Sequence, residues 1–370
     1  MPPVVIDIRS AEDTRDVVHR AVQALAEGQL VAFPTETVYG VAACTLREDA
    51  VRRLGELGVS GPLELAVKSA DEALDFVPDI SPLAKRLARR CWPGPVTLLL
   101  QDSSQDSLIR QLPESSRAAV CHDGCLAMRV PAHSLIHEVL RLLPGPVALA
   151  GAGRQPDCDA VTAADVVGNV GEQIQLVLDD GRSRYGQPSS LVKVGQRSFE
   201  VLRPGVVSEQ TLRRLSSLMV LFVCTGNTCR SPMAEAMFRK LMADKLGCQV
   251  NEVHDRGVVV ASAGLAAMMG GRPSSEAVHV LARQGLDLAD HESQPMTEHL
   301  AQQSDLIFAM TRSHRHAILS EWPAVGDRVR LLCHDRNDVA DPIGGPPEMY
   351  ERCAMQIKAE LEAWAAELEV

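Results

Sequence analysis

The sequence has few of the features that mark membrane and secreted proteins. Aromatic residues make up only 3% of the 370 residues. No apolar run approaches the roughly 20 residues that a membrane-spanning helix needs. The N-terminal stretch, MPPVVIDIRSAEDTRD, has no apolar region of the kind found in a signal peptide. We therefore expect a cytoplasmic protein that has no membrane partner.

Positive charge is also scarce. The chain contains 37 Lys and Arg residues against 48 Asp and Glu residues, which gives a net charge of −11 at pH 7. This acidic balance argues against general electrostatic binding to nucleic acid, although a local basic patch stays open.

The ten cysteines are scattered and lack the density of a disulfide scaffold. Two pairs are close in sequence, Cys121 with Cys125 and Cys224 with Cys229, but neither has a second ligand pair at zinc-finger spacing. We expect most cysteines to be reduced core residues, and we expect no metal site.

The composition, 46% hydrophobic and 23% charged, is typical of a soluble globular protein. A chain of 370 residues is too long for one ordinary core, so the length predicts two or three domains. The short polar stretch VVSEQTLRRLSS predicts a connection between them. We expect a first domain over 10–207, a linker over 208–217 and a second domain over 218–370.

The first domain alternates helical and strand-like patterns, which predicts a mixed α/β architecture. Five motifs follow one another along it: PTETVYG from Pro34, WPGPVT from Trp92, RVPAH from Arg129, PSS from Pro188 and LRPG from Leu202. In this order they resemble the YrdC family, the threonylcarbamoyl-AMP synthases. The resemblance implies a twisted α/β fold with a concave, positively charged surface. It also implies synthesis of threonylcarbamoyl-adenylate from threonine, bicarbonate and ATP for tRNA modification.

Two motifs of that family are replaced in this chain. Gly58-Val59-Ser60 stands where the family has Lys-x-Arg, and Gly151-Ala152-Gly153 stands where it has Ser-Ala-Asn. Because a site that handles ATP phosphates needs fixed positive charge, we predict a degenerate domain without synthase activity. The alternatives are an active synthase that uses ATP and threonine, and a module that binds nucleotide or RNA.

Part of the family's pocket is retained. The retained positions, which the resemblance assigns to threonine or nucleotide contacts, are Thr35, Tyr39, Arg129, Ser189 and Arg203. Two of them have structural alternatives, since Tyr39 fits a core position and Arg129 fits an ion pair with a local acid.

In the second domain, an apolar run ends at Cys224, five small or polar residues follow, and Arg230 and Ser231 open a helical pattern. This is the layout of a phosphate-binding catalytic loop, because a strand-to-helix turn points backbone N–H groups at an anion. The spacing by itself also fits a buried cysteine that ends a core strand before an ordinary turn.

Each residue of this loop has a predicted role. Arg230 grips two phosphate oxygens at once, and Ser231 donates a hydrogen bond to the sulfur of Cys224. We expect Gly226 to adopt dihedral angles closed to other residues. The residues that curl the backbone around the phosphate are Thr225, Gly226, Asn227, Thr228 and Cys229.

Four βα units follow from residue 219, which predicts a four-stranded parallel sheet with helices on both faces. Ligands bind at the carboxyl ends of such strands, where Cys224 lies. Asp341, on a Pro- and Gly-rich loop before the last helix, is a candidate general acid and then general base. An aspartate before proline is also common in ordinary turns.

These features resemble the low-molecular-weight protein tyrosine phosphatase family. The matching segments are VCTGNTCRSPMAE from Val223, Ser262-Ala263-Gly264, and Asp341-Pro342 with Tyr350. The resemblance implies a phosphotyrosine phosphatase I-like fold and a phosphorylated protein as substrate. It implies Cys224 as nucleophile, a phosphocysteine intermediate and no cofactor.

The substrate stays open between phosphotyrosine or another phosphomonoester, which we expect first, and phosphoarginine. Thr228 stands where tyrosine-directed members often have a bulky aliphatic residue, and CTGNTCRS resembles the protein-arginine phosphatase branch. Arsenate reductase is a further alternative, for which Cys333 and Cys353 are available. Cys229 is either a redox partner of Cys224 or a small loop residue.

Overall fold

The computed structural model describes residues 2–58, 61–153 and 159–368, and the chain forms two compact units, Met1–Leu215 and Ser216–Val370. We call them unit 1 and unit 2. Val59 and Ser60, which belong to the predicted loss of the Lys-x-Arg motif, lie outside the described residues. The stretch predicted as a linker contains a helix, Glu209–Ser216.

Unit 1 is built on a mixed sheet of eleven strands. The strands are β1 Val4–Asp7, β2 Val31–Phe33, β3 Gly40–Cys44, β4 Glu64–Ala66, β5 Val96–Gln101, β6 Cys121–His122, β7 Cys125–Arg129, β8 Val147–Gly151, β9 Leu176–Asp179, β10 Ser190–Val194 and β11 Phe199–Arg203. Their order is β1-β9-β2-β3-β8-β4-β7-β5-β10-β11, and β6 pairs with β7. Parallel and antiparallel pairs both occur, as the predicted mixed α/β architecture requires.

Eight α-helices accompany this sheet in the described part of unit 1. They are α1 Thr14–Ala26, α2 Glu48–Glu56, α3 Ala70–Phe76, α4 Pro82–Cys91, α5 Glu114–Val120, α6 Ser134–Leu142, α7 Ala163–Val170 and α8 Glu209–Ser216. Helix α1 begins where Asp13 accepts a hydrogen bond from Arg15 N, and the chain turns away at Gly28, whose φ is +81°.

Side chains alternate between the two faces of the sheet along each strand, and they form two cores, one on each face. On β3, Val41 and Ala43 pack into one core, whereas Ala42 and Cys44 pack into the other. Because successive strand residues point to opposite faces, a strand covered on both faces must be apolar throughout. All five residues of β3 are buried.

Unit 2 contains a four-stranded sheet in the order β13-β12-β14-β15, in which every neighbouring pair is parallel. The strands are β12 Leu218–Cys224, β13 Val258–Gly264, β14 Leu306–Ala309 and β15 Val329–Leu331. The helices are α9 Arg230–Leu246, α10 Ser275–Ala282, α11 Glu298–Gln303, α12 Arg312–Glu321 and α13 Pro347–Glu367. The predicted parallel sheet is confirmed, and the short helix α11 was not predicted.

Helices cover both faces of this sheet. Phe222 of β12 stacks on Phe308 of β14 at 5.5 Å and meets Phe238 of α9 edge-on, in a core that α13 completes. Ala301 of α11 and Ile318 of α12 belong to the core on the opposite face. Cys224 therefore lies at the carboxyl end of a strand that is buried on both sides. None of the helices in the described ranges is both long and apolar enough to cross a membrane.

Candidate active site

The sulfur of Cys224 lies inside a short loop between the last residue of β12 and the first turn of α9. The hydroxyl of Ser231 is 3.0 Å from Cys224 Sγ, and the backbone N–H of Asn227 donates to the same sulfur at 3.3 Å. The Ser231 contact links the sulfur to the first turn of α9. This is the contact that the sequence predicted for Ser231.

Asn227 holds the curl of the loop. Its φ is +54°, in the left-handed region, while Gly226 lies outside that region. The expectation that Gly226 would take the unusual dihedral angles is therefore wrong. Asn227 tolerates the conformation because its side chain is fixed: Nδ2 donates to Ser231 Oγ at 3.0 Å and to Ser262 Oγ at 2.8 Å, and Oδ1 accepts from Gln294 N at 2.9 Å.

Strand β13 packs closely against the loop that follows Cys224. Gly264 is in register with Cys224, and a Cβ on Gly264 would lie 2.5 Å from Thr225 O and 2.8 Å from Asn227 N. The backbone beyond Gly264 continues this contact, since Ala266 N donates to Thr225 O at 2.9 Å. Glycine at 264 is required by this close approach of two backbones.

Arg230 is the cation of the site and is 95% buried, with 5% of its side chain exposed. Its NH2 donates to Asp341 Oδ2 at 2.5 Å, and its NH1 donates to Val339 O at 3.3 Å. The buried Nε has no hydrogen-bond partner among the residues that the structure describes. A buried N–H without a partner is costly, so this donor suits an anionic ligand.

Asp341 reaches Arg230 from the loop between β15 and α13. Its side chain is 44% exposed, and its Oδ1 also accepts from Ile343 N at 3.2 Å. The aspartate therefore has the turn contact that its position before proline suggested, together with the contact to Arg230. The role of Asp341 as general acid stays a prediction.

His314 is a site residue that the sequence did not reveal. On the first turn of α12, its Nε2 is 2.9 Å from Thr225 Oγ1. Burial, followed by the nearby Arg230, lowers the pKa of His314 to about 4, against the opposing effect of Asp341 and Asp338. The imidazole is neutral at neutral pH. His314 could have been suspected because α12 begins where β14 ends, at the same edge of the sheet as Cys224.

Thr228 and Cys229 complete the loop. Thr228 is half-buried, and its carbonyl accepts from Ser274 N at 2.9 Å. Cys229 is buried in the core beside Tyr350, whose hydroxyl is 3.9 Å from Cys229 Sγ. This packing fits the small-residue alternative for Cys229, and its role as a redox partner of Cys224 stays a prediction.

Unit 1 has a separate pocket. It brings together all five family positions predicted from the sequence, which are Thr35, Tyr39, Arg129, Ser189 and Arg203. Two of them have the structural contacts considered as alternatives. Tyr39 is buried, with its hydroxyl donating to Gly181 O at 2.7 Å, and burial raises the pKa of Tyr39 to about 12. Arg129 forms an ion pair with Glu36 at 2.8 Å, and only 4% of its side chain is exposed.

The second arginine of this pocket is also paired. Arg203 NH2 donates to Glu64 Oε1 at 3.2 Å and to Ser189 Oγ at 3.0 Å. Glu64 lies on β4 with 9% of its side chain exposed, and it was not predicted. The signal was an acid within the apolar run LELAV, where a buried carboxylate needs a partner.

Both units match known families. Residues 219–370 match the family model described as low molecular weight phosphotyrosine protein phosphatase. Residues 23–205 match the Sua5, YciO and YrdC family model, whose description is "Telomere recombination".

Curated relatives agree with this division. The protein-arginine-phosphatase of Bacillus subtilis is 37% identical over 40% of this chain and 95% of its own length. The probable low molecular weight protein-tyrosine-phosphatase EpsP of Ralstonia nicotianae is 34% identical over 39% of this chain and 92% of its own length. The threonylcarbamoyl-AMP synthase of Chromohalobacter salexigens is 30% identical over 52% of this chain and 99% of its own length. The synthase of Pyrococcus abyssi, 32% identical, is matched over 52% of its length.

The two matches fall on the two compact units. The chain is thus a fusion in which unit 1 belongs to the Sua5, YciO and YrdC family and unit 2 belongs to the low-molecular-weight family of cysteine-based protein phosphatases.

Proposed function

We propose that unit 2 hydrolyses phosphorylated protein side chains through a phosphocysteine intermediate on Cys224. The observation that carries the proposal is the buried, unpartnered Nε of Arg230 at the start of the helix that follows the thiol loop. A bound phosphate supplies the acceptor that this donor lacks, and the N-terminus of α9 adds a positive dipole end.

The first step transfers the phosphoryl group to sulfur. Cys224 Sγ attacks phosphorus, the bond from phosphorus to the leaving oxygen or nitrogen breaks, and Asp341 gives its proton to the leaving atom. In the second step water attacks phosphorus, the phosphorus–sulfur bond breaks, and Asp341 takes a proton from the water. Ser231, 3.0 Å from the sulfur, stabilises the thiolate that each turnover regenerates.

Asp341 changes partner during this cycle. Its Oδ2 contacts Arg230 in the present structure, so the entering phosphate replaces Asp341 as the acceptor for Arg230. The displaced carboxyl group, on an exposed loop, is then free to reach the leaving atom. The substrate therefore assembles the acid catalyst by occupying the arginine.

Phosphoarginine is the substrate that we favour, ahead of phosphotyrosine. Thr228 provides a hydroxyl at the loop that can accept from a guanidinium N–H. The residue after Asp341-Pro342 is Ile343, which is 67% exposed, and an aromatic side chain that would stack on a phosphotyrosine ring is missing there. The relative from B. subtilis, 37% identical over 40% of this chain, is named a protein-arginine-phosphatase. These points place phosphoarginine first, whereas the sequence placed phosphotyrosine first by a narrow margin.

The test is a turnover panel on the full chain with p-nitrophenyl phosphate, phosphotyrosine peptides and phosphoarginine peptides. We expect Cys224→Ser to abolish all three activities, and kcat/KM for phosphoarginine to exceed that for phosphotyrosine by tenfold or more. Thr228→Ile should lower the phosphoarginine value about tenfold and spare p-nitrophenyl phosphate. Hydrolysis that survives in Cys224→Ser would refute the mechanism. A Thr228→Ile variant without a change in preference would refute the substrate assignment.

Unit 1, in our proposal, does not make threonylcarbamoyl-adenylate. Its two pocket arginines, Arg129 and Arg203, are each neutralised by a buried glutamate, so an ATP phosphate would have to displace a carboxylate to reach either of them. Wild-type protein should consume no ATP in the presence of threonine and bicarbonate. ATP consumption that requires both substrates would instead establish the active synthase.

Two further assays on the same protein distinguish the remaining alternatives. Arsenate reduction in the presence of a thiol reductant, lost in Cys333→Ser or Cys353→Ser, would favour the assignment of unit 2 as an arsenate reductase. Retention of labelled ATP or of a tRNA on the full chain, without turnover, would assign unit 1 a binding role.

A further inference from the structure

A cluster of metal-ligating side chains lies in unit 2, outside the residues assigned to catalysis. Cys333 and Asp335 follow strand β15, and Glu360 lies on helix α13. One ligand atom from each residue, the sulfur and two carboxylate oxygens, lies within 4.8 Å of the other two. Because the three ligands come from two segments that are distant in sequence, the spacing of the cysteines could not predict the cluster.

We propose that Cys333, Asp335 and Glu360 form a binding site for a divalent transition-metal ion of the zinc type. Zinc takes thiolate and carboxylate ligands together, with bonds of about 2.3 Å to sulfur and about 2.0–2.2 Å to oxygen. Ligand atoms within 4.8 Å of one another close around such an ion through small side-chain rotations. Three protein ligands leave one tetrahedral position for a water molecule.

Neighbouring groups orient both carboxylates. Glu360 Oε2 accepts from the backbone N–H of His334 at 2.9 Å and from His334 Nδ1 at 2.6 Å, and the His334 ring stacks on Trp364. Both bonds fall on Oε2, so Oε1 has no hydrogen-bond partner within the described ranges. Asp335 accepts from Asn337 N and Nδ2 at 2.9 and 2.7 Å. Outer hydrogen bonds of this kind fix the ligands of metal sites.

The electrostatics of the cluster favour a cation. Cys333 is buried, and the carboxyl groups of Asp335 and Glu360 each have an oxygen within 4.8 Å of its sulfur. A divalent ion offsets the mutual repulsion of a thiolate and two carboxylates held this close together. On binding, the S–H bond breaks, a bond from sulfur to the metal forms, and the proton leaves to solvent.

A bound ion would join the segment that carries Asp341 to the closing helix. Cys333 starts this segment, and Gln356 of α13 already links to it by donating to Cys333 Sγ at 3.5 Å and to Asp338 O at 3.3 Å. The metal adds a stronger connection at the same place, so we expect it to raise the melting temperature of unit 2.

The experiment measures zinc binding to the full chain carrying Cys224→Ser, which removes the exchangeable thiolate of the active site. The reduced, metal-free protein is titrated with Zn²⁺ against a chromophoric chelator. We expect one equivalent to bind, and a further Cys333→Ser or Glu360→Gln substitution to weaken binding about 100-fold or more. Cys248→Ser, a partly buried cysteine elsewhere in unit 2, is the matched control and should leave the affinity unchanged.

Absorption spectroscopy with Co²⁺ provides a second, independent test of the same site. Co²⁺ bound to the protein should show a thiolate-to-cobalt absorption band that disappears in Cys333→Ser and persists in the Cys248→Ser control. If Cys333→Ser fails to fold, Asp335→Asn on the surface loop carries the affinity test. Failure to bind a stoichiometric ion, or binding that is equal in all variants, would overturn the proposal.

Discussion

The two units place arginines in anion pockets, but the carboxylates that pair with them differ in position. Arg230 in unit 2 is 5% exposed and contacts Asp341, which is 44% exposed on a loop. Arg129 in unit 1 is 4% exposed and contacts Glu36, which is 8% exposed. An arginine whose partner is an exposed side chain can change that partner for a phosphate. An arginine whose partner is buried with it stays paired and stabilises the fold.

This difference in the exposure of the paired carboxylate shows why the number of arginines in a pocket does not by itself identify an anion-binding site. Removing a buried partner leaves an unpaired charge in a low-dielectric interior, which is costly, whereas an exposed carboxylate can be exchanged at little cost. In our proposal, unit 1 retains its arginines as structural residues, and unit 2 uses its arginine in binding. The following predictions test this contrast, from the largest expected effect to the smallest.

Substitution of Arg230 tests the first half of the contrast. Arg230→Lys keeps the charge but removes the two-pronged geometry, so we expect kcat/KM for p-nitrophenyl phosphate to fall about 10³-fold. Arg256→Lys, on an exposed turn of the same unit, is the matched control and should retain wild-type kinetics. A loss of less than tenfold in Arg230→Lys would contradict the assigned role.

Substitution of a buried glutamate tests the second half. Glu36→Gln leaves Arg129 without its ion-pair partner, and we expect unit 1 to lose about 3 kcal/mol of unfolding free energy. Hydrogen exchange of peptides from each unit during urea unfolding measures this, and phosphatase activity should not change. The control is Glu56→Gln, whose exposed pair with Arg52 should be dispensable. Equal effects of the two substitutions would remove the distinction between the pairs.

His314 makes the stability of unit 2 sensitive to acid. Its pKa is about 4 in the folded protein against 6.5 for an unperturbed histidine, so the unfolded chain takes up the proton first as the pH falls. The contribution is complete above pH 6.5 and is lost towards pH 4, which amounts to about 2 kcal/mol at pH 5. Urea unfolding from pH 7 to 4.5 should show this slope, and His314→Gln should flatten it. Parallel slopes would mean that other groups cause the acid sensitivity.

Each pocket also has a buried serine, and the smallest prediction compares them. Ser231→Ala removes the hydroxyl beside Cys224 Sγ, so we expect kcat to fall about tenfold, since one hydrogen bond to a charged group is lost. Ser189→Ala removes a hydroxyl that contacts Thr97 and Arg203 in unit 1, and phosphatase kinetics should be unaffected. A change of similar size in both variants would point to coupling between the units.

Local patterns were enough to predict most of the fold. The mixed α/β sheet of unit 1 and the four-stranded parallel sheet of unit 2 agree with the alternating helical and strand-like patterns of the sequence. The thiol loop was predictable because its residues are consecutive, so one turn of backbone brings Ser231 and Asn227 to the sulfur of Cys224. Strand order in unit 1 could not be read from the same patterns, because it depends on pairings between distant segments.

The residues that were missed act through contacts over long sequence separations. Glu64 meets Arg203 across 139 residues, and His314 meets Thr225 across 89. No spacing rule joins such pairs. Gly226 was misassigned for a different reason, since glycine is the usual residue for a left-handed conformation, and here three hydrogen-bond partners stabilise that conformation at Asn227 instead.

The contact at Gly264 limits how this pocket can be redesigned. One wall of the thiol loop is the bare backbone of β13, with no space for even a methyl group. Libraries that vary this wall will mostly return inactive enzymes. Room for new substrate preferences lies instead at the half-buried Thr228 and the exposed Ile343, where a side chain can change size with less effect on the packing of the loop.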